Sequence, residues 1–189
     1  MKTTLKYITR YTRIICITCI TCMTALLLAL ALSSCTARLD GAPDGMKLIS
    51  TDDVEYYLYV PQSWTEDIST GVVTAYVSEK DRSNISMAAF ETGDSSMTAA
   101  AFWEKYEADL TATFPDAVFG ETENTVVDGS IAAEQHTFTA TVTGYEYEFM
   151  ETVFVRGGTA YILTYTSTPE SFDSHLDDVR SVISSLKFR

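Results

Sequence analysis

Tyr145-Glu146-Tyr147-Glu148-Phe149-Met150-Glu151-Thr152-Val153-Phe154-Val155-Arg156, then Gly157-Gly158, then Thr159-Ala160-Tyr161-Ile162-Leu163-Thr164-Tyr165-Thr166-Ser167, is the stretch that decides the fold. Two runs rich in β-branched and aromatic residues flank a Gly-Gly pair, which predicts a hairpin with strands over 145–156 and 159–167. In that register Val153 lies opposite Ile162 and Phe154 opposite Tyr161. Successive side chains of a strand point to opposite faces, so the two apolar pairs sit on opposite sides of the sheet. Both sides near the turn therefore need cover.

Working outward, the cover is visible on both flanks. Downstream, Thr168 is positioned as a cap and Pro169 suits a first helical position. Phe172, Leu176, Val179, Ile183 and Leu186 then recur at helical spacing, with Asp173, Asp177, Asp178 and Arg180 on the solvated side, which predicts one closing helix. Upstream, His136, Phe138, Ala140 and Val142 alternate with Thr137, Thr139, Thr141 and Thr143, and Val126-Val127 and Ile131 flank a two-residue Asp128-Gly129 turn. Further back, Phe102, Tyr106 and Leu110 repeat every four residues beside Trp103 and Phe114, so Thr98 to Phe114 reads as an amphipathic helix capped by Thr98, stapled by Met97 and Phe102, and closed by Pro115. Period-two patterns over Val54–Val60, Gly71–Ser78 and Asn84–Glu91 add strands, with Glu79 to Ser83 as a charged turn. Strands, helix, strands, helix is an α+β order built on an antiparallel sheet.

The first 34 residues are of another kind. Lys2, Lys6, Arg10 and Arg13 precede the uncharged run Ile14 to Leu32, the pattern of an export signal. As a helix that run would rise about 28 Å, so an uncleaved membrane anchor is the alternative. Leu32-Ser33-Ser34-Cys35 resembles the bacterial lipobox. The resemblance implies cleavage before Cys35 and a diacylglyceryl group on its sulfur; two acyl chains give the stable membrane attachment that one does not. Either alternative puts the domain on the extracytoplasmic face. Cys16, Cys19 and Cys22 have metal-site spacing but lie inside the apolar run, so they are leader residues and not ligands. The expected division is a signal peptide over 1–34, a lipidated tether over 35–45, where Thr36 to Gly45 is rich in turn formers, and one globular domain over 46–189.

The exported part carries nine bases against all 26 acids of the chain, whose formal net charge is −13. Such a domain repels a phosphate polymer, so nucleic acid is excluded as a partner. An apolar fraction of 46% excludes disorder. No cofactor is implied, and the only cysteine after position 34 is the one expected to be acylated.

His136 falls on the apolar face of its strand, as a packed and hydrogen-bonded side chain does. His175 can be drawn with Ser171, Ser174 and Asp178 as a triad, but consecutive turns of one helix supply no oxyanion hole. Glu146 and Glu148 share a face and Glu151 points to the other; two carboxylates could serve calcium or acid/base work, but a solvated strand edge explains all three. Asp52-Asp53 and Asp128 read as turn formers, and the four threonines as strand formers. The aromatic segment Tyr56 to Trp64, with Tyr57 and Tyr59 on its more polar side, is the candidate binding surface.

Tyr57-Leu58-Tyr59-Val60-Pro61-Gln62-Ser63-Trp64 resembles the strand-Pro-x-x-Trp opening of PsbP-like and DcrB-like proteins, and Tyr147 to Val155, Gly157-Gly158, Tyr161 to Tyr165 and Glu170 to Phe188 resemble their closing hairpin, helix and Lys-Phe tail. The likeness spans roughly residues 46 to 188. It implies an α/β/α sandwich, a central antiparallel sheet between helices, and a role by binding rather than catalysis, as in extrinsic photosynthetic subunits, a GTPase-binding transport regulator and envelope lipoproteins. No metal-binding or GTPase-binding residue of those relatives maps onto this chain. The expectation is a membrane-anchored, non-catalytic binding or accessory subunit of the cell envelope, with an envelope protein as partner. The alternatives are an envelope hydrolase using a carboxylate or serine site, and a structural component without a ligand.

Overall fold

Gly157 and Gly158, with φ of 62° and 86°, turn the chain between β9 (Tyr145–Arg156) and β10 (Thr159–Ser167), and Val153 pairs with Ile162 and Phe154 with Tyr161 as expected. Positive φ at both turn positions is the conformation that glycine adopts without a Cβ penalty. The computed structural model describes residues 41–189. Around this hairpin a seven-stranded antiparallel sheet forms in the order β4-β5-β6-β10-β9-β8-β7, with β4 Thr65–Glu66, β5 Val73–Tyr76, β6 Asn84–Glu91, β7 Val118–Val127 and β8 Ile131–Val142. Asp128 and Gly129 both take positive φ in the β7–β8 turn.

Each face is covered by its own core. Helix α1 (Ala99–Thr113) lays Trp103 and Leu110 on Phe138, Ala140, Val153 and Ile162. Its first turn is capped by Thr98, whose hydroxyl accepts from the Ala101 amide at 3.2 Å. The other face packs Tyr161, Leu163, Tyr165, Phe154 and Met87 against Phe172, Val179, Val182, Ile183 and Leu186 of the C-terminal helices. The result is an α/β/α sandwich.

The closing helix differs from its expected form. It runs as α2 (Pro169–Phe172), a 3₁₀ turn (Asp173–His175) and α3 (Leu176–Ser185). The Phe172 carbonyl accepts a hydrogen bond from the Tyr165 hydroxyl at 3.0 Å, and His175 is drawn away to Asp81. The first contact takes the carbonyl that a continuous helix would offer to the Leu176 amide, which bonds to the Asp173 carbonyl instead. The tail then adds β11 (Lys187–Phe188), paired with β2 (Tyr56–Tyr57).

The strand expected over Val54–Val60 is also divided. β2 joins β11, while β3 (Tyr59–Pro61) joins β1 (Met46–Leu48), and Leu58 between them bonds through its backbone to Ser50 Oγ and the Ile49 amide, each at 3.0 Å. The last residues of the expected tether belong to the folded part: the compact unit starts at Ala42, which is buried, and Gly45 accepts from the Gln62 amide. The leader, its three cysteines and Cys35 lie outside the described residues. Among the described residues no helix is long and apolar enough to cross a membrane.

Candidate functional site

The sheet face beneath α1 carries a row of polar side chains running across six strands. Thr122 pairs with His136, His136 with Glu151, Glu151 with Thr164, Thr164 with Ser86, and Ser86 with Thr74. Direct cross-strand partners share a face, so the six form one line from β7 to β5. Its middle is sealed. His136 and Glu151 are 4% and 3% exposed, and the Trp103 ring lies flat on the His136 ring with centroids 3.7 Å apart. Thr122 Oγ1 meets His136 Nδ1 at 3.0 Å. The Thr164 hydroxyl reaches Glu151 Oε1 at 3.4 Å, and Glu151 Oε2 has no partner. His136 Nε2 has Glu134 Oε2 at 3.3 Å but outside hydrogen-bond alignment.

Burial decides the protonation of both groups, since removal from water disfavours the charged form. Burial pushes Glu151 up to about 7, and the Thr164 and Tyr106 hydroxyls, which favour the anion, only partly offset it. Burial takes His136 down to about 4. At neutral pH the pair holds a neutral imidazole beside a carboxyl near its midpoint. Glu151 is therefore neither solvated nor on an edge, because β9 lies between β8 and β10. Glu146 and Glu148 point to the opposite face, as their spacing requires, and burial followed by the charges of Asp173 and Glu146 raises Glu148. Among the described residues no three His, Cys, Asp or Glu side chains converge as a metal would need.

A second histidine–acid cluster ties the β5–β6 turn to the 3₁₀ turn. Asp81 Oδ2 lies 2.8 Å from His175 Nε2, and Asp81 Oδ1 accepts from the Ser83 amide at 3.0 Å and its hydroxyl at 2.6 Å. Ser83 Oγ in turn meets Ser167 Oγ at 2.8 Å. The carboxylate stands between serine and histidine here, whereas a hydrolytic triad needs the imidazole in the middle. His175 thus faces Asp81, on the far side of the sequence from Asp178.

The row's open end leads into a groove of about 340 Å³ on the α1 side of the sheet. Its floor is the neighbouring cross-strand row, Phe149, Thr166, Asn84 and Tyr76. Tyr147 and Val142 form one wall, and Arg82, whose guanidinium lies 3.9 Å from the Tyr76 ring centroid, forms the other. Asp67, Thr70 and Thr74 close the end.

The binding surface expected from sequence is located elsewhere and is largely inside. Trp64 is 2% exposed and Tyr59 is 6% exposed, both in the core, and the Tyr57 ring is half-buried between Tyr59 and the Arg189 guanidinium. The N-terminal strands lie against the C-terminal helices, so their nominally polar side is a packing face. The groove residues Tyr147 and Tyr76 carried no separate signal, because their convergence depends on β6 pairing with β10, some seventy residues away in the chain.

No protein-family model matches the chain, and no curated protein matches it in sequence. Solved structures do share its architecture. The solution structure of cyanobacterial PsbP (CyanoP) from Synechocystis sp. PCC 6803 is 15% identical, covers 82% of this chain and 98% of its own, and superposes with a TM-score of 0.57. The crystal structure of PA94, a protein of unknown function from Pseudomonas aeruginosa, is 16% identical over 76% of this chain and 97% of its own, with a TM-score of 0.53. A Bacteroides thetaiotaomicron crystal structure is 16% identical with a TM-score of 0.54; it covers 78% of this chain, which spans 49% of that one. Identities this low speak to architecture alone. The chain is thus an α+β protein with the PsbP-like fold, an antiparallel sheet between helical layers.

Proposed function

We propose that this chain is a membrane-anchored extracytoplasmic lipoprotein, held through a diacylglyceryl group on Cys35, that acts as a non-catalytic binding or accessory subunit in the cell envelope. The observation that carries the binding half is the groove. It gathers three aromatic rings with threonine hydroxyls and an asparagine amide on a rigid sheet, a mixture of apolar walls and a few placed polar groups that suits ligand capture. The anchoring half rests on Leu32-Ser33-Ser34-Cys35 behind a basic, then apolar, leader.

Two experiments test it. Cells grown with an alkyne fatty acid should label the wild-type protein, and Cys35→Ala should abolish the label and leave the precursor uncleaved; a labelled variant overturns the anchor. Affinity purification of the intact protein from membranes should recover an envelope protein reproducibly. Repeated recovery of the chain alone overturns the accessory-subunit role.

A further inference from the structure

The groove between Tyr76 and Tyr147 has a composition that selects among ligand classes, and we propose that it is a binding site for a neutral saccharide. The inference rests on the binding reading above and names its ligand. Four observations narrow the choice.

The groove's two charges are already engaged. Arg82 stacks on Tyr76 and sits 3.3 Å from Glu79 Oε2, and Asp67 Oδ1 accepts from the Ser69 amide at 2.9 Å and its hydroxyl at 2.6 Å. An anionic ligand would meet no unpaired cation, and would enter against the field of a chain with a net charge of −13.

The floor lies on the face of a continuous sheet. At the level of Tyr76, Asn84, Thr166 and Phe149 every strand is paired on both sides, β5 with β4 and β6, β6 with β5 and β10, β10 with β6 and β9, and β9 with β10 and β8. A peptide captured by strand addition needs an open edge, and its backbone finds none here.

The groove is not purely apolar. Thr166 contributes a hydroxyl, and Asn84, whose Nδ2 donates to the Arg82 carbonyl at 3.1 Å, keeps its amide oxygen as an acceptor; the Thr70 and Thr74 hydroxyls, which meet each other at 3.0 Å and reach the Val72 carbonyl at 2.9 and 3.3 Å, keep lone pairs for an incoming donor. A hydrocarbon ligand would strip water from the Thr166 hydroxyl and the Asn84 oxygen and return no hydrogen bond.

What remains is a molecule with an apolar face and a rim of uncharged donors and acceptors. A pyranose ring has that form: its C–H face fits against Tyr147 and Phe149, whose ring centroids are 6.4 Å apart, and its hydroxyls reach the threonines and Asn84. The volume of about 340 Å³ is at the small end of ligand pockets, which suits a short saccharide rather than a long polymer held along its length.

The test uses the full chain in lauryldimethylamine oxide micelles, a detergent without a sugar headgroup, and saturation-transfer NMR. The probes are maltose, cellobiose, mannobiose and diacetylchitobiose, with tetra-alanine and glycerol 3-phosphate as the peptide and anion arms. At least one neutral sugar should receive saturation, and Tyr147→Ala and Asn84→Ala should each weaken its binding by about tenfold, a loss of roughly 1.4 kcal/mol. Both side chains are partly exposed, and an unchanged unfolding midpoint establishes that a variant is folded. No transfer to any neutral sugar, or transfer at wild-type strength in both variants, overturns the proposal. Transfer to tetra-alanine or to glycerol 3-phosphate alone overturns the saccharide while leaving the binding module intact; loss of partner recovery from membranes strikes the binding module itself.

Discussion

The two histidine–acid clusters of this domain contain nearly the same groups and have opposite electrostatic outcomes. Around Asp81 the carboxylate accepts from an amide, a hydroxyl and an imidazole. Burial alone would push Asp81 up, but the Ser83 hydroxyl, His175 and the Ser83 amide outweigh it and hold the group below the ordinary carboxylate value. Around Glu151 there is only a long hydrogen bond from Thr164 and a lesser contribution from the Tyr106 hydroxyl, no amide reaches the carboxyl, and burial prevails. The difference is one of supply. A loop such as Glu79–Ser83 has free amides to offer a carboxylate, whereas the middle of a sheet has spent its amides on the ladder. A carboxyl under α1 can therefore be accommodated only close to its neutral form.

The largest effect should come from unsealing the Glu151 row. Trp103→Ala removes the ring that covers His136 and anchors α1, and truncations of this kind cost about 3–5 kcal/mol. If burial is what raises Glu151, its carboxyl carbon in an NMR titration should move down toward the ordinary value in this variant. A titration midpoint that stayed near 7 would mean that a neighbouring group, rather than exclusion of water, controls it.

Glu151→Gln follows in size. The folded-state value of about 7 lies above the ordinary 4.5, so between those pH values the native state keeps a proton that the unfolded chain has released, and stability falls as pH rises through the window. His136 works in the other direction: its folded value of about 4 lies below the ordinary 6.5, so its contribution is lost as pH falls from 6.5 to 4. The two slopes oppose each other between 4.5 and 6.5, and wild type should show little pH dependence there. The glutamine variant removes only the first. Its stability relative to wild type, from urea unfolding, should be near zero at pH 4.5 and grow to roughly 3 kcal/mol in its favour above pH 7. A difference that did not change with pH would rule out a raised Glu151.

Much of this contrast was within reach of the sequence, and the missing part has a definable cause. Local register was legible: the Gly157-Gly158 hairpin paired Val153 with Ile162 as its turn required, and Glu151 was assigned to the face opposite Glu146 and Glu148. What Glu151 meets there was not legible. A single strand shows which residues share a face, but the row from Thr122 to Thr74 depends on pairings between β6 and β10 and between β8 and β9 together. Likewise Asp81 and His175 are 94 residues apart, and helical spacing placed His175 beside its own sequence neighbours instead. Trp64 and Tyr59 looked available because an alternating pattern marks a buried face only when the other face is wet. The C-terminal helices and the β1–β3 pair cover both. β7 was longer than Val126-Val127 suggested, since its middle, Gly120 to Asn124, is polar; charges such as Glu121 and Glu123 suit an edge strand that must not pair further.

The smallest predicted effect separates the two kinds of carboxylate on the C-terminal side. Asp81 and Asp177 both touch a cation-forming side chain, His175 at 2.8 Å and Arg180 at 3.1 Å. Distance does not distinguish them, but surroundings do. Asp81→Ala takes the acceptor from the Ser83 amide, the Ser83 hydroxyl and His175, leaving that buried hydroxyl only Ser167, and should cost about 1–3 kcal/mol. Its benefit to wild type should also disappear in acid, because a carboxylate held below its ordinary value loses its stabilising contribution as pH falls through the folded value. Asp177→Ala breaks a pair whose carboxylate is fully exposed, where water and salt already replace the partner, and the urea midpoint should not move. Equal losses in the two variants would mean that the ion pairs themselves hold the C-terminal helices. A loss confined to Asp81 would assign that role to the buried hydroxyl relay through Ser83 and Ser167, which joins the β5–β6 turn to the end of β10.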